Sequence, residues 1–77
     1  MTADDRVRLT LGAEGVAEVA LARADKMNAL DPAMFEALNR TIAQLRTADG
    51  LRAVLLHGEG RAFCAGLDMG SFASMDA

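Results

Sequence analysis

The apolar positions of this 77-residue chain change period twice. From Val7 to Leu11, "VRLTL", apolar and polar residues alternate, the pattern of a half-buried strand. "VAEVAL", Val16 to Leu21, alternates more weakly and reads as the returning strand of a hairpin. "GAEG", Gly12 to Gly15, is the turn between them, with glycine at both ends. A polar connection, "ARADKMNAL", runs from Ala22 to Leu30. The spacing then lengthens to three and four. Met34, Phe35, Leu38, Ile42 and Leu45 fall on one helical face, and Glu36, Asn39, Arg40 and Arg46 take the others. Asp31 stands where a side chain can cap the free amides. Pro32 takes the first helical position, where its missing N–H costs nothing. "TADG", Thr47 to Gly50, ends the helix. "LRAVLLH", Leu51 to His57, with its unbroken apolar run Ala53 to Leu56, has the character of a strand covered on both faces.

The order is strand, strand, helix, strand. This predicts an α/β fold: a β-hairpin followed by a βαβ unit whose two strands are parallel, with a right-handed crossover. A glycine-rich stretch then leaves the C-terminal end of a parallel strand, which is where open α/β sheets bind ligands. The tail "SFASMDA", Ser71 to Ala77, reads as neither strand nor helix. One helix covers one face of the sheet and nothing covers the other. With no repeat and no linker in sight, residues 1–77 are expected to be the first part of a single larger domain.

Composition narrows the function. Apolar residues make up 52% of the chain, which is not a disordered composition. There is no tryptophan or tyrosine, three phenylalanines and a net charge of −3, which argues against stacking on nucleic-acid bases or tracking a phosphate backbone. A single cysteine excludes an internal disulfide and a cysteine-based zinc cage. Asp4 and Asp5 stand in an N-terminus without an apolar core, unlike a signal peptide. No apolar run exceeds four residues, as in Ala53 to Leu56, which is too short to cross a bilayer. A soluble, cytoplasmic chain with no membrane or nucleic-acid partner is the expectation.

The stretch "GEGRAFCAGLDMG", Gly58 to Gly70, holds four of the seven glycines, the cysteine and one acid. Gly58 and Gly60 fill two places of a dinucleotide fingerprint, but Phe63 stands at the third. A P-loop needs lysine and then Ser or Thr after its last glycine, whereas Gly66 is followed by Leu67 and Asp68. Cys64 as nucleophile would need a base, and His57 is the one histidine, at a strand end; the plainer role for Cys64 is a small buried residue. No pair of side chains stands at metal-ligand spacing. Asp68 could act as a general base or could accept backbone hydrogen bonds and fix its turn. Met27, Met34 and Met69 read as packing residues, with Met27 also able to line an apolar channel. Lys26 reads as exposed, either solvated or facing an anionic ligand. What remains is main chain. Small residues at Ala65 and Gly66 allow close approach, and amides there can point at an oxygen on which charge develops.

"DKMNALDPAMFEAL" followed by "AVLLHGEGRAFCAGLDM" resembles the N-terminal part of the crotonase superfamily, the enoyl-CoA hydratase/isomerase family. The resemblance runs from about Val7 to Met69. It implies an incomplete crotonase-like spiral fold of ββα repeats and acyl-CoA thioesters as ligands, with coenzyme A entering only as part of the substrate and no further cofactor. It implies that the Leu67 N–H is one oxyanion-hole donor. It also implies that Asp25, Lys26, Met27 and Ala29, together with Ala65, Gly66, Leu67 and Asp68, line the path of the CoA and pantetheine, with Asp68 structural. The second oxyanion amide, the catalytic glutamates and the helices that build trimers or hexamers would lie downstream. One departure is Ala24 after Arg23, where members often carry proline. The alternatives are a non-catalytic segment that holds CoA or a partner chain, and a truncated segment without function of its own that self-associates.

Overall fold

The computed structural model describes residues 6–73. Strand β1 is Val7–Leu11, β2 is Val16–Leu21, helix α1 is Pro32–Arg46, β3 is Ala53–Gly58 and a short helix α2 is Met69–Ala73. A 3-10 turn, Ala24–Lys26, interrupts the polar connection. The hairpin pairs Val7 with Leu21 and Leu11 with Ala17. β3 lies parallel to β2, with Val16 opposite Ala53 and Leu21 opposite Gly58. β2 is thus the central strand of a three-stranded sheet ordered β1-β2-β3. The hairpin and the βαβ unit stand where the sequence pattern puts them.

Alternation along the strands sends Val7, Val19 and Leu21 to one face, where they form the core with Met34 and Ala37 of α1. The start of α1 follows from its residues. The Asp31 backbone is extended, and its Oδ1 accepts the Met34 N–H at 2.8 Å, satisfying one of the orphan amides of the first turn. At the other end the Thr47 N–H donates to the Gln44 and Leu45 carbonyls.

Four expectations are corrected. The buried line of α1 is Met34, Ala37 and Thr41. Leu38 and Leu45 flank it, while Phe35 and Ile42 are 40% and 51% exposed. The small side chains of Ala37 and Thr41 let the helix settle against the sheet, and Thr41 Oγ1 satisfies itself on the Ala37 carbonyl at 2.9 Å. β3 is not covered on both faces: Val54, Leu55 and Leu56 are each about half exposed. It is an edge strand, and α1 packs over the hairpin side. Residues 71–73 of the tail are helical, belonging to α2, while residues 74–77 lie outside the described residues. Finally, Met34 is fully buried, but Met27 and Met69 are exposed and are not packing residues.

Candidate functional site

Because β2 and β3 are parallel, the loops that follow them leave the same end of the sheet and meet there. The first, residues 22–30, passes through the 3-10 turn and then through two consecutive left-handed residues, Met27 (φ 51°) and Asn28 (φ 58°). Asparagine tolerates this region because its short amide can bond locally, whereas methionine does so only where neighbours fix it. Asn28 is fully buried. Its Oδ1 accepts the Arg23 N–H at 2.7 Å. Its Nδ2 points at three carbonyls of the second loop, Glu59, Ala62 and Phe63, at 3.0, 2.9 and 3.0 Å. One side chain therefore clips the two loops together. Gly58 makes room for it: a Cβ there would lie 2.7 Å from Asn28 Nδ2 and would overlap the Ala62 and Phe63 carbonyls.

Main-chain bonds complete the junction. The Ala65 N–H donates to the Met27 carbonyl at 2.9 Å. Leu30 and Leu67 form an isolated parallel bridge, in which the Leu30 N–H donates to Gly66 O at 2.7 Å and the Asp68 N–H donates to Leu30 O at 2.8 Å. The Gly66 N–H lies 3.4 Å from Cys64 Sγ. Within Ala65–Asp68, Leu67 alone has an amide without an acceptor among the described residues. Its direction is fixed by geometry. In a trans peptide the carbonyl and the following N–H point opposite ways, so the bond holding Gly66 O toward Leu30 turns the Leu67 N–H away from the bridge. Gly66 permits this through φ 98°, which disfavours a side chain.

An ionic cluster braces the same junction. Arg23 Nη1 lies 2.9 Å from Asp68 Oδ2, 3.0 Å from Ala29 O and 3.4 Å from Asp31 Oδ2. Arg6 reaches Asp31 through Nη2 at 2.8 Å and Nε at 3.3 Å. The Arg6 guanidinium, then the Met34 N–H, then the Arg23 charge, hold the Asp31 carboxyl down at about 2 against the penalty of burial. The Ser71 N–H, bonded to Asp68 Oδ1 at 3.2 Å, and then Arg23 lower Asp68 as well. Asp68 is therefore an ionised anchor at the start of α2.

The structure joins Met27 to Ala65, and Leu30 to Gly66, Leu67 and Asp68; Ala29 meets the second loop through Arg23, which holds both Ala29 O and Asp68. Asp25 and Lys26 stand on the exposed rim, and among the described residues no hydrogen bond joins them to the second loop. His57 sits on the sheet face opposite α1, with Nε2 2.9 Å from Glu18 Oε2 but poorly aligned for a hydrogen bond. Cys64 packs toward the core on the α1 side, so histidine and thiol make no nucleophile–base pair. No group of three or more metal-ligating side chains occurs among the described residues. Among the described residues, a cavity of about 100 Å³ beside Gly12 and Gly15 and an apolar one of about 200 Å³ between α1 and β3 lie away from the junction. Asp49 is the one ionisable residue lining the first, and Thr41 the one polar residue lining the second. Sequence reasoning missed Asn28 and the bracing role of Arg23. An asparagine between a polar turn and a helix cap was the available signal for the first.

The arrangement is an exposed, aimed main-chain donor backed by a rigid junction, able to receive an oxygen that gains negative charge. A family model described as enoyl-CoA hydratase/isomerase matches residues 12–76. A probable enoyl-CoA hydratase of Rhodobacter capsulatus is 46% identical over 61 residues, covering 79% of this chain and 23% of the relative. The 1,2-epoxyphenylacetyl-CoA isomerase of Escherichia coli is 36% identical over 56 residues, covering 73% and 21%. The crystal structure of an enoyl-CoA hydratase from Mycobacterium smegmatis superposes with a TM-score of 0.87 at 32% identity, over 94% of this chain and 28% of that one. The chain thus spans about a quarter of the length of the relatives it matches. With its α/β architecture shared with crotonase-fold enzymes and residues 12–76 of its 77 inside the family match, the chain belongs to the enoyl-CoA hydratase/isomerase family.

Proposed function

We propose that residues 1–77 form the N-terminal part of an enoyl-CoA hydratase/isomerase domain and supply one half of an oxyanion hole for an acyl-CoA thioester. The observation that carries this reading is the Leu67 N–H, unpartnered among the described residues and turned outward by the Leu30–Gly66 bond. A thioester carbonyl gains negative charge as it becomes an enolate, and a donor fixed in advance stabilises that charge without reorganising. Met27 and Ala29, with Ala65, Gly66 and Asp68, would form the lip along which the pantetheine runs, and Asp25 and Lys26 the outer rim. The ligand class is supported by relatives that are themselves named for CoA substrates. The proton-transferring acids are assigned outside this chain, because the adjacent acid, Asp68, is already held by Arg23 and the Ser71 N–H.

Titrating the 15N-labelled chain with crotonyl-CoA is expected to move the Leu67 amide resonance, with a smaller response to CoA lacking the acyl group. Acyl-CoA binding that leaves Leu67 unmoved would overturn the assignment. The 77-residue chain is expected not to hydrate crotonyl-CoA; turnover by the purified chain would refute the half-site reading. In a full enzyme domain carrying these residues, Leu67→Pro removes the donor and is expected to cost ~10²–10³ in rate. The half-exposed β3 favours a second reading, a non-catalytic segment that holds CoA or pairs with a second copy. Calorimetry showing sub-millimolar binding of CoA itself would select it.

A further inference from the structure

Arg23, Ala29, Leu30, Gly66 and Leu67 form one continuous hydrogen-bonded line. Arg23 Nη1 donates to Ala29 O at 3.0 Å. Ala29 O and the Leu30 N–H belong to the same peptide unit. That N–H donates to Gly66 O at 2.7 Å. Gly66 O and the Leu67 N–H belong to the next unit. In each trans unit the carbonyl and N–H point opposite ways, so two peptide dipoles align head to tail between the guanidinium and the outward-facing Leu67 N–H. A donor on a peptide carbonyl draws electron density from that peptide's own N–H, and hydrogen bonds in a chain strengthen one another in this way. A cation at the head makes the first bond a charge-assisted one. The Arg23 side chain is only 11% exposed, so water screens it little. Arg23 Nη1 donates to Ala29 O, with Asp68 Oδ2 at 2.9 Å and Asp31 Oδ2 at 3.4 Å as its ionic neighbours.

We propose that Arg23 is a positioning residue for the oxyanion donor: through the Ala29–Leu30 and Gly66–Leu67 peptides it both aims and polarises the Leu67 N–H. This rests on the reading of Leu67 given above. The ion pair with Asp68 serves the same end from the other side, since the Asp68 N–H donates to Leu30 O in the same bridge.

The test is spectroscopic and needs no substrate. In the wild-type chain, through-hydrogen-bond scalar couplings are expected from the Leu30 nitrogen to the Gly66 carbonyl carbon and from the Arg23 guanidinium to the Ala29 carbonyl carbon. Absence of either coupling overturns the relay, whether or not any variant folds. In Arg23→Met the Leu30 and Leu67 amide protons are expected to move upfield together, by more than the Ala65 amide, whose bond to Met27 lies outside the line. Arg23→Lys, which keeps the cation, is expected to restore part of the Leu30 shift. A Leu30 resonance indifferent to Arg23→Met, or no recovery with lysine, would show that Arg23 only braces the loop. Loss of the Leu67 response to crotonyl-CoA in wild type would instead remove the oxyanion reading and leave the couplings standing, so the two failures are separable.

Discussion

Two buried polar residues, Asn28 and Asp31, carry opposite kinds of risk. Asn28 makes its bonds as a neutral amide, and its Nδ2 faces three carbonyls. Asn28→Asp keeps the acceptor for the Arg23 N–H but turns an oxygen onto those carbonyls. A loss of about 3 kcal/mol or more is expected, read from urea unfolding at neutral pH. Asp31 works the other way, because it is stabilising only while charged. Its folded pKa is depressed from 3.8 to about 2. Its contribution is therefore complete above the unfolded value and is lost as pH falls through the folded one. Urea unfolding across that window should show a loss of about 2 kcal/mol from this group. Asp31→Asn, which still caps, should flatten the acid limb while leaving α1 intact. If the slope survives the substitution, the Arg6–Asp31 pairing is not its source. Of these two roles, the cap of Asp31 was legible in the sequence, because Asp-Pro before an apolar-periodic run has a local mechanism. The clip of Asn28 was not. The carbonyls that its Nδ2 meets lie more than thirty positions away, and its place between a polar turn and a helix cap does not say which they are.

At the scale of the elements, what could be read was what local geometry decides. The hairpin, the βαβ order and the start of α1 depend on period, turn residues and capping. Which stripe of α1 faces inward depends on how close the helix sits to the sheet, and that is settled by tertiary packing. A large apolar residue such as Ile42 satisfies the period yet stands beside the line of closest approach, where Ala37 and Thr41 fit. The consequence is measurable. Met34→Ala, at a position with no exposure, is expected to cost about 2–5 kcal/mol. Ile42→Ala, at a half-exposed one, is expected to cost under about 1 kcal/mol. Comparable losses at both sites in chemical denaturation would restore the face centred on Ile42. The candidate site was legible only in part for a similar reason. The A-G-L segment marks where main chain can approach a ligand, but the peptide orientation that frees one N–H is set by a bridge to a residue in another loop.

Over the whole molecule, the sheet is unevenly protected. β1 and β2 share a core with α1, whereas β3 closes the sheet with an edge unpaired among the described residues and half-exposed apolar residues on both faces. Edge strands are usually blunted by inward charge, proline or a bulge, and β3 has none of these within Ala53–Leu56. The purified chain is therefore expected to associate as its concentration rises. Leu55→Lys places a charge on the face away from α1 and is expected to lower that tendency without changing the fold. Sedimentation velocity across a dilution series checks this, and association unchanged by the lysine would locate the contact elsewhere than β3. The continuous apolar run of this strand was legible as a buried pattern, and the chain does not bury it. The pattern records what the strand is suited to, and the exposure records what these residues alone can cover.

The crowding around Gly58 has a consequence for how such a protein answers to mutation. The proposed donor is contributed by main chain, so nearly any side chain but proline at Leu67 would preserve it, and in a full enzyme domain carrying these residues a substitution scan scored by activity would draw a tolerant gap at that position. Intolerance would instead concentrate at Gly58, Asn28 and Gly66, none of which owns the donating N–H. On the proposed reading, a tolerance map of these residues would be a negative of the site, bright at the supports and dark at the donating atom.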